Sequence, residues 1–144
     1  MKKYVFLILS LLTVCFIWHN SMADASHSSR TSLYVLHLIQ NYFAGVPEVE
    51  HLTNGILRKM AHVTEYALLG IALCGLLGCL RRKYKIFITA VMAFFIAAVD
   101  ESIQMFSPGR SAEFHDVLLD TSGAVLGAVM AVLLLWCMGT IREH

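Results

Sequence analysis

Four long apolar runs dominate this chain, and in the last three the few charged residues crowd toward one end. Val5 to Trp18 follows Lys2 and Lys3. Met60 to Leu80 is interrupted by His62 and Glu65, Ile86 to Phe106 by Asp100, Glu101 and Gln104, and Val117 to Met138 by Asp120. A membrane-spanning helix needs ~20 mainly apolar residues. The last three runs reach that length if their polar residues face protein or water. The first is shorter and spans with its flanks or with tilt. Composition agrees, at 58% apolar and 15% charged, against roughly 45–50% and 25% in soluble domains. Disorder and an ordinary cytosolic domain are thereby excluded. A net charge of +1 lacks the basic excess that nucleic-acid binding requires. The expected fold is all-α: a small bundle of four transmembrane helices with a short outer interfacial helix.

Basic residues orient the bundle. Arg81, Arg82, Lys83 and Lys85 fill the link between the second and third runs, while Lys2, Lys3 and Arg142 lie at the chain ends. With four spans these share one side, which the positive-inside rule makes cytoplasmic. The expectation is a multi-pass protein of the cell membrane with both termini cytoplasmic. Residues 1–18 form the first helix, 19–57 an external segment, 58–138 a three-helix core and 139–144 a cytoplasmic tail. Run one also has signal-peptide features, with Ala23-Asp24-Ala25 as a small-residue cleavage position; a retained helix is the preferred reading. In the external segment, Ser32 is a candidate cap for a helix through Phe43, ended by Gly45 and Pro47. The four cysteines lack zinc or disulfide spacing and read as packing residues.

Antiparallel threading carries the polar interruptions to one depth. They fall at the start of run two, the end of run three and the start of run four, all at the outer side. At about 100° per residue, Arg58, Lys59, His62, Glu65 and Tyr66 share one face, Asp100, Glu101 and Gln104 another, and Asp116, Asp120, Gly123 and Gly127 a third. Charges facing lipid at mid-bilayer cost several kcal/mol. The carboxylates are therefore expected to turn toward each other and toward Arg58, Lys59 and Arg110. That arrangement is an outward-open polar pocket, with Gly123 and Gly127 allowing close helix approach.

These residues form a pattern that resembles the VanZ-like family. The matching blocks are Arg58-Lys59-x-x-His62-x-x-Glu65-Tyr66 followed by Leu69-Gly70, Asp100-Glu101-x-x-Gln104-x-Phe106-x-Pro108-Gly109-Arg110, and Asp116-Val117-x-x-Asp120-x-x-Gly123 continuing to Gly127. They span Arg58 to about Gly127. The chain departs at Asp120, where the family often has Asn. The resemblance implies a small multi-helix integral membrane protein, and the family's founding member is associated with low-level resistance to the glycopeptide teicoplanin. It implies no particular substrate or reaction.

The functional reading is an outward-facing pocket for an anionic cell-envelope component. Arg58, Lys59 and Arg110 would hold phosphate or carboxylate, joined in the binding set by Tyr66, Gln104, Asp116 and Asp120. His62, Glu65, Asp100 and Glu101 are the candidates for proton exchange. Partners would be a membrane lipid or cell-wall precursor headgroup, with a membrane-protein partner or homo-oligomer also open. Whether a reaction is catalysed is left open. The alternative is a non-enzymatic membrane interaction module whose buried charges are structural. A metal reading draws on Glu65, Asp100, Glu101, Asp116 and Asp120, with His62 or His115. It is set aside because basic residues compete for the same carboxylates and no ligand motif is present, so neither metal nor cofactor is expected. A proton-coupled transporter is disfavoured by apolar inner halves and the lack of an inverted repeat.

Overall fold

The computed structural model describes residues 1–110 and 113–142. These residues are helical apart from short links: α1 (Lys2–Met22), α2 (Ala25–Tyr42), α3 (Pro47–Glu50), α4 (Asn54–Cys79), α5 (Lys85–Gln104) and α6 (Phe114–Arg142). Four of them, α1, α4, α5 and α6, are long and apolar enough to cross a membrane. The all-helical four-span architecture is therefore as expected. At 1.5 Å per residue the 26 residues of α4 extend about 39 Å, beyond the ~30 Å hydrocarbon layer. Its first turns, with Arg58 and Lys59, can stand in the headgroup zone.

The helix boundaries follow local chemistry. Thr53 caps α4, its hydroxyl accepting from the Ile56 N–H at 3.3 Å. Pro47 opens α3 at a position where no N–H is needed. After α2 the chain turns at Gly45, with φ of 90°. The helix of the 19–57 segment differs from expectation: α2 begins at Ala25, and Ser32 lies inside it, donating to the Ser28 carbonyl at 2.8 Å rather than capping. An uninterrupted run without Gly or Pro lets the helix start earlier. Likewise α1 continues past Trp18 to Met22. Of the tail read as 139–144, α6 covers residues to Arg142, and the last two lie outside the described residues.

Packing is small-on-small. Ala93, Ala97, Ala124 and Ala128 are fully buried, with Ile17, Tyr66 and Leu69 beside them. Gly70 of α4 meets the Ala124 backbone of α6, and Gly127 of α6 meets the Ala67 backbone of α4. Without a hydrophobic drive between helices in lipid, such close approach is what holds them together. Large apolar side chains point outward instead, among them Phe87, Phe95, Leu118, Leu126 and Leu133. Several hydroxyls on the spans bond to the preceding turn, whereas those of Ser21 and Thr89 are buried without a partner. Ser10, Thr13, Thr64, Ser102 and Thr121 each donate to the carbonyl four residues back, at 2.7–2.8 Å.

Candidate functional site

The N-terminal ends of α4 and α6 meet the C-terminal end of α5, and the polar faces read from the sequence face one another. Asp100 is 0% exposed and Asp120 1%. Between them stands His62, whose Nδ1 lies 3.9 Å from Asp100 Oδ2 and 3.7 Å from Asp120 Oδ2. Gln104, one turn beyond Asp100, donates its amide to Asp100 Oδ2 and to Glu101 Oε1, each at 3.1 Å. One side-chain amide thus ties two adjacent carboxylates, which like charge would otherwise drive apart. Glu101 also accepts the Glu113 backbone N–H at 3.0 Å, just before α6 begins.

The basic residues divide their work differently from expectation. Lys59 pairs with Asp116 at 2.7 Å and lies 3.9 Å from Glu113. This pair sits at the rim, where both side chains keep solvent contact. Arg58 and Arg110 make no ion pair among the described residues, so the buried carboxylates are not neutralised by them. The reason is placement: Arg110 lies on the turn between α5 and α6. That turn is closed by its N–H on the Ser107 carbonyl at 3.2 Å and by Gly109 at φ 77°. The Arg110 guanidinium has buried Nε and Nη1 atoms with no acceptor. Burial, and then the nearby Arg58 guanidinium, pulls Arg110 below the usual range for its side chain. It is a cation short of an anion.

Two cavities adjoin at these side chains. A polar one of about 200 Å³ is lined from α4 by Arg58, Lys59 and His62, from α5 by Glu101 and Gln104, and from α6 by Asp116 and Asp120, with Arg110 at its edge. A larger, more apolar groove of about 760 Å³ runs between the end of α1, α2 and α4, beside Val35, Leu57, Met60 and Glu65. Arg58, His62 and Arg110 border both. The polar cavity also lies at the N-terminal ends of α4 and α6, where helix dipoles favour anions. Chemically, the site can grip an oxyanion with guanidinium groups. His62 can pass a proton between carboxylates, since 3.7–3.9 Å is within reach of closure by small side-chain movement.

Most residues singled out from the sequence come together here. Tyr66 does not join either cavity: it is 0% exposed in the core, its hydroxyl without a partner. Its position four residues after His62 keeps it on the same face but one turn deeper. Asp100 is likewise sealed behind His62. Glu65 belongs to the groove and accepts the Asn20 amide at 3.0 Å. Asn20 was missed because it follows the apolar run, and α1 carries it into the bundle. Ser107 was missed as well; its hydroxyl donates to the Ser21 carbonyl at 2.9 Å, tying the α5–α6 turn to α1. The only sequence signal for either was the absence of a helix breaker before Ala23.

Comparison with known proteins places the chain further. A family model described as VanZ/LLP1 matches residues 4–135, so the match extends beyond the three motif blocks and includes α1. No curated protein and no solved structure matches the chain.

Proposed function

The chain belongs to the VanZ/LLP1 family, and for this multi-pass membrane protein we propose that the polar cavity binds the anionic headgroup of a cell-envelope lipid or lipid-linked wall precursor. The carrying observation is Arg110, whose two buried donor atoms lack acceptors at the junction of the two cavities. A phosphate or carboxylate there would accept from Arg110 and Arg58 together, in the forked geometry that guanidinium groups favour. The groove beside Val35, Leu57 and Met60 gives the apolar part of such a molecule room next to its headgroup. A purely structural charge network would pair its cations, and unpaired Arg110 speaks against that reading. The orientation is outward-facing, in the cell membrane, with both termini cytoplasmic. Glycopeptide susceptibility, teicoplanin above all, is the phenotype that a change in such envelope molecules would move. We assign headgroup binding to these residues, and no bond-breaking step.

The experiment purifies wild-type and Arg110→Gln protein from membranes and identifies the lipids and wall precursors retained with each, alongside the teicoplanin susceptibility of the same cells and of cells lacking the protein. Enrichment of one anionic lipid species with the purified wild-type protein, lost in Arg110→Gln, is expected. Equal lipid retention by both proteins, or retention of zwitterionic species only, would overturn the proposal.

A further inference from the structure

Two carboxylates sealed inside the bundle face a single imidazole. Among the described residues, His62 is the only ion-pairing partner of Asp100 and Asp120. Lys59 is already engaged by Asp116 and Glu113, and the buried Arg110 nitrogens touch no acceptor. The basic side chains that would compete for these carboxylates are therefore directed elsewhere. A protonated His62 supplies one positive charge against two anions, in a setting where uncompensated charge is costly. The hydrogen bonding is short in the same place. Asp120 Oδ2 is buried without a hydrogen-bond partner and is the atom 3.7 Å from His62 Nδ1; Asp100 Oδ1 has only the buried Ser21 hydroxyl facing it, short of a formed hydrogen bond. One turn deeper on α4, the Tyr66 hydroxyl is also buried and unpartnered.

We propose that His62, Asp100 and Asp120 bind a divalent cation of the zinc class. One ring nitrogen and one oxygen from each carboxylate already lie within 4.8 Å of one another. Two donors each ~2.1 Å from an ion stand about 3.4 Å apart at a tetrahedral angle and about 4.2 Å apart when opposite. The 3.7 and 3.9 Å separations fall inside that span and the carboxylate oxygens lie within 4.8 Å of each other, so closing to tetrahedral spacing takes inward movements of ~0.3–1.4 Å. The donor set selects the ion. Magnesium and calcium favour all-oxygen surroundings, whereas imidazole with carboxylate suits zinc. A divalent ion with neutral His62 balances both aspartates at once. Three protein donors leave a further position, as in open zinc sites. His62 and Asp120 both line the polar cavity, so that position is approached from the same side as the headgroup.

The test needs no lipid, so its outcome is separate from that of the headgroup reading. Purified full-length protein in detergent is stripped with chelator and titrated with zinc by calorimetry and elemental analysis. One ion per chain is expected. His62→Gln and Asp120→Asn should each weaken binding more than about 100-fold, since loss of an outer partner alone costs 10–100-fold. His115→Gln, an exposed histidine on α6, should bind as wild type. Absence of saturable binding in the wild type, or unchanged binding in His62→Gln and Asp120→Asn, overturns the proposal. Should those variants fail to fold, zinc-edge X-ray absorption on the wild type decides. A nitrogen and oxygen shell without sulfur supports the site; a sulfur shell, which would point to a cysteine, refutes it.

Discussion

Gly127→Ala tests the contact that aligns the site. An added Cβ at Gly127 would collide with the Ala67 carbonyl oxygen of α4 and come within 2.7 Å of its carbonyl carbon and 2.9 Å of its Cα. These are backbone atoms, so no side chain can rotate away. Ordinary carbon contacts lie near 3.5–4.0 Å, which leaves a shortfall of at least ~0.8 Å at the carbonyl carbon, and more at the oxygen, that only separation of α4 and α6 can relieve. Overpacking of this kind costs ~1–3 kcal/mol, and in lipid no hydrophobic term between helices offsets it. The displacement also reaches the site. Asp120 lies two turns toward the N-terminus from Gly127 on α6, and His62 stands between one and two turns before Ala67 on α4. Opening the pair by ~0.8 Å would stretch the 3.7 Å His62–Asp120 approach by a similar amount. Reversible unfolding in bicelles, measured by steric trapping, should show a loss of about 2 kcal/mol. Gly78→Ala is the control, because nothing lies within 4 Å of its added Cβ; it should be neutral or stabilise by up to ~1 kcal/mol. Equal stability of the two variants would refute the close α4–α6 crossing and the alignment derived from it.

Other perturbations probe the remaining contacts. Gln104→Leu removes the one donor shared by Asp100 and Glu101 and should cost about 3 kcal/mol by the same unfolding assay; a loss near zero would mean that the amide is not what ties the two carboxylates. Asn20→Leu leaves Glu65 without its amide donor across α1 and α4 and should cost ~1–2 kcal/mol, with full stability counting against α1 as part of the site. Lys59→Gln breaks a pair whose side chains are 47% and 26% exposed, so the expected loss is below about 1 kcal/mol, and a loss of several would mean that the pair is more deeply buried in the membrane-folded protein. In intact cells, a cysteine placed at Pro108 should react with a membrane-impermeant maleimide, whereas one at Lys83 should react only after permeabilisation; the reverse pattern would invert the orientation.

Much of the architecture was legible from the residues. Run length separated the spans, and the charges interrupting them marked one end of each helix. Helical periodicity then placed His62 and Glu65, Asp100 and Gln104, and Asp120 with Gly123 on inward faces. Other features depend on chain context that periodicity does not encode. Ser32 has the chemistry of a cap yet sits inside α2, because nothing upstream stops the helix. Asn20 lies past the apolar run yet enters the bundle, because α1 persists to Met22.

Sequence alone determined the membrane-spanning class, the antiparallel threading and the shared depth of the polar groups, because hydrophobic length and a fixed helical repeat act locally. Only the tertiary structure decided the partners: Lys59 with Asp116, Gln104 across two carboxylates, His62 between two buried aspartates, and Arg110 without an anion. Long side chains on neighbouring helices can reach several acceptors at one depth. Which they reach is set by how closely glycine and alanine let the backbones approach, and by where the α5–α6 turn places the guanidinium.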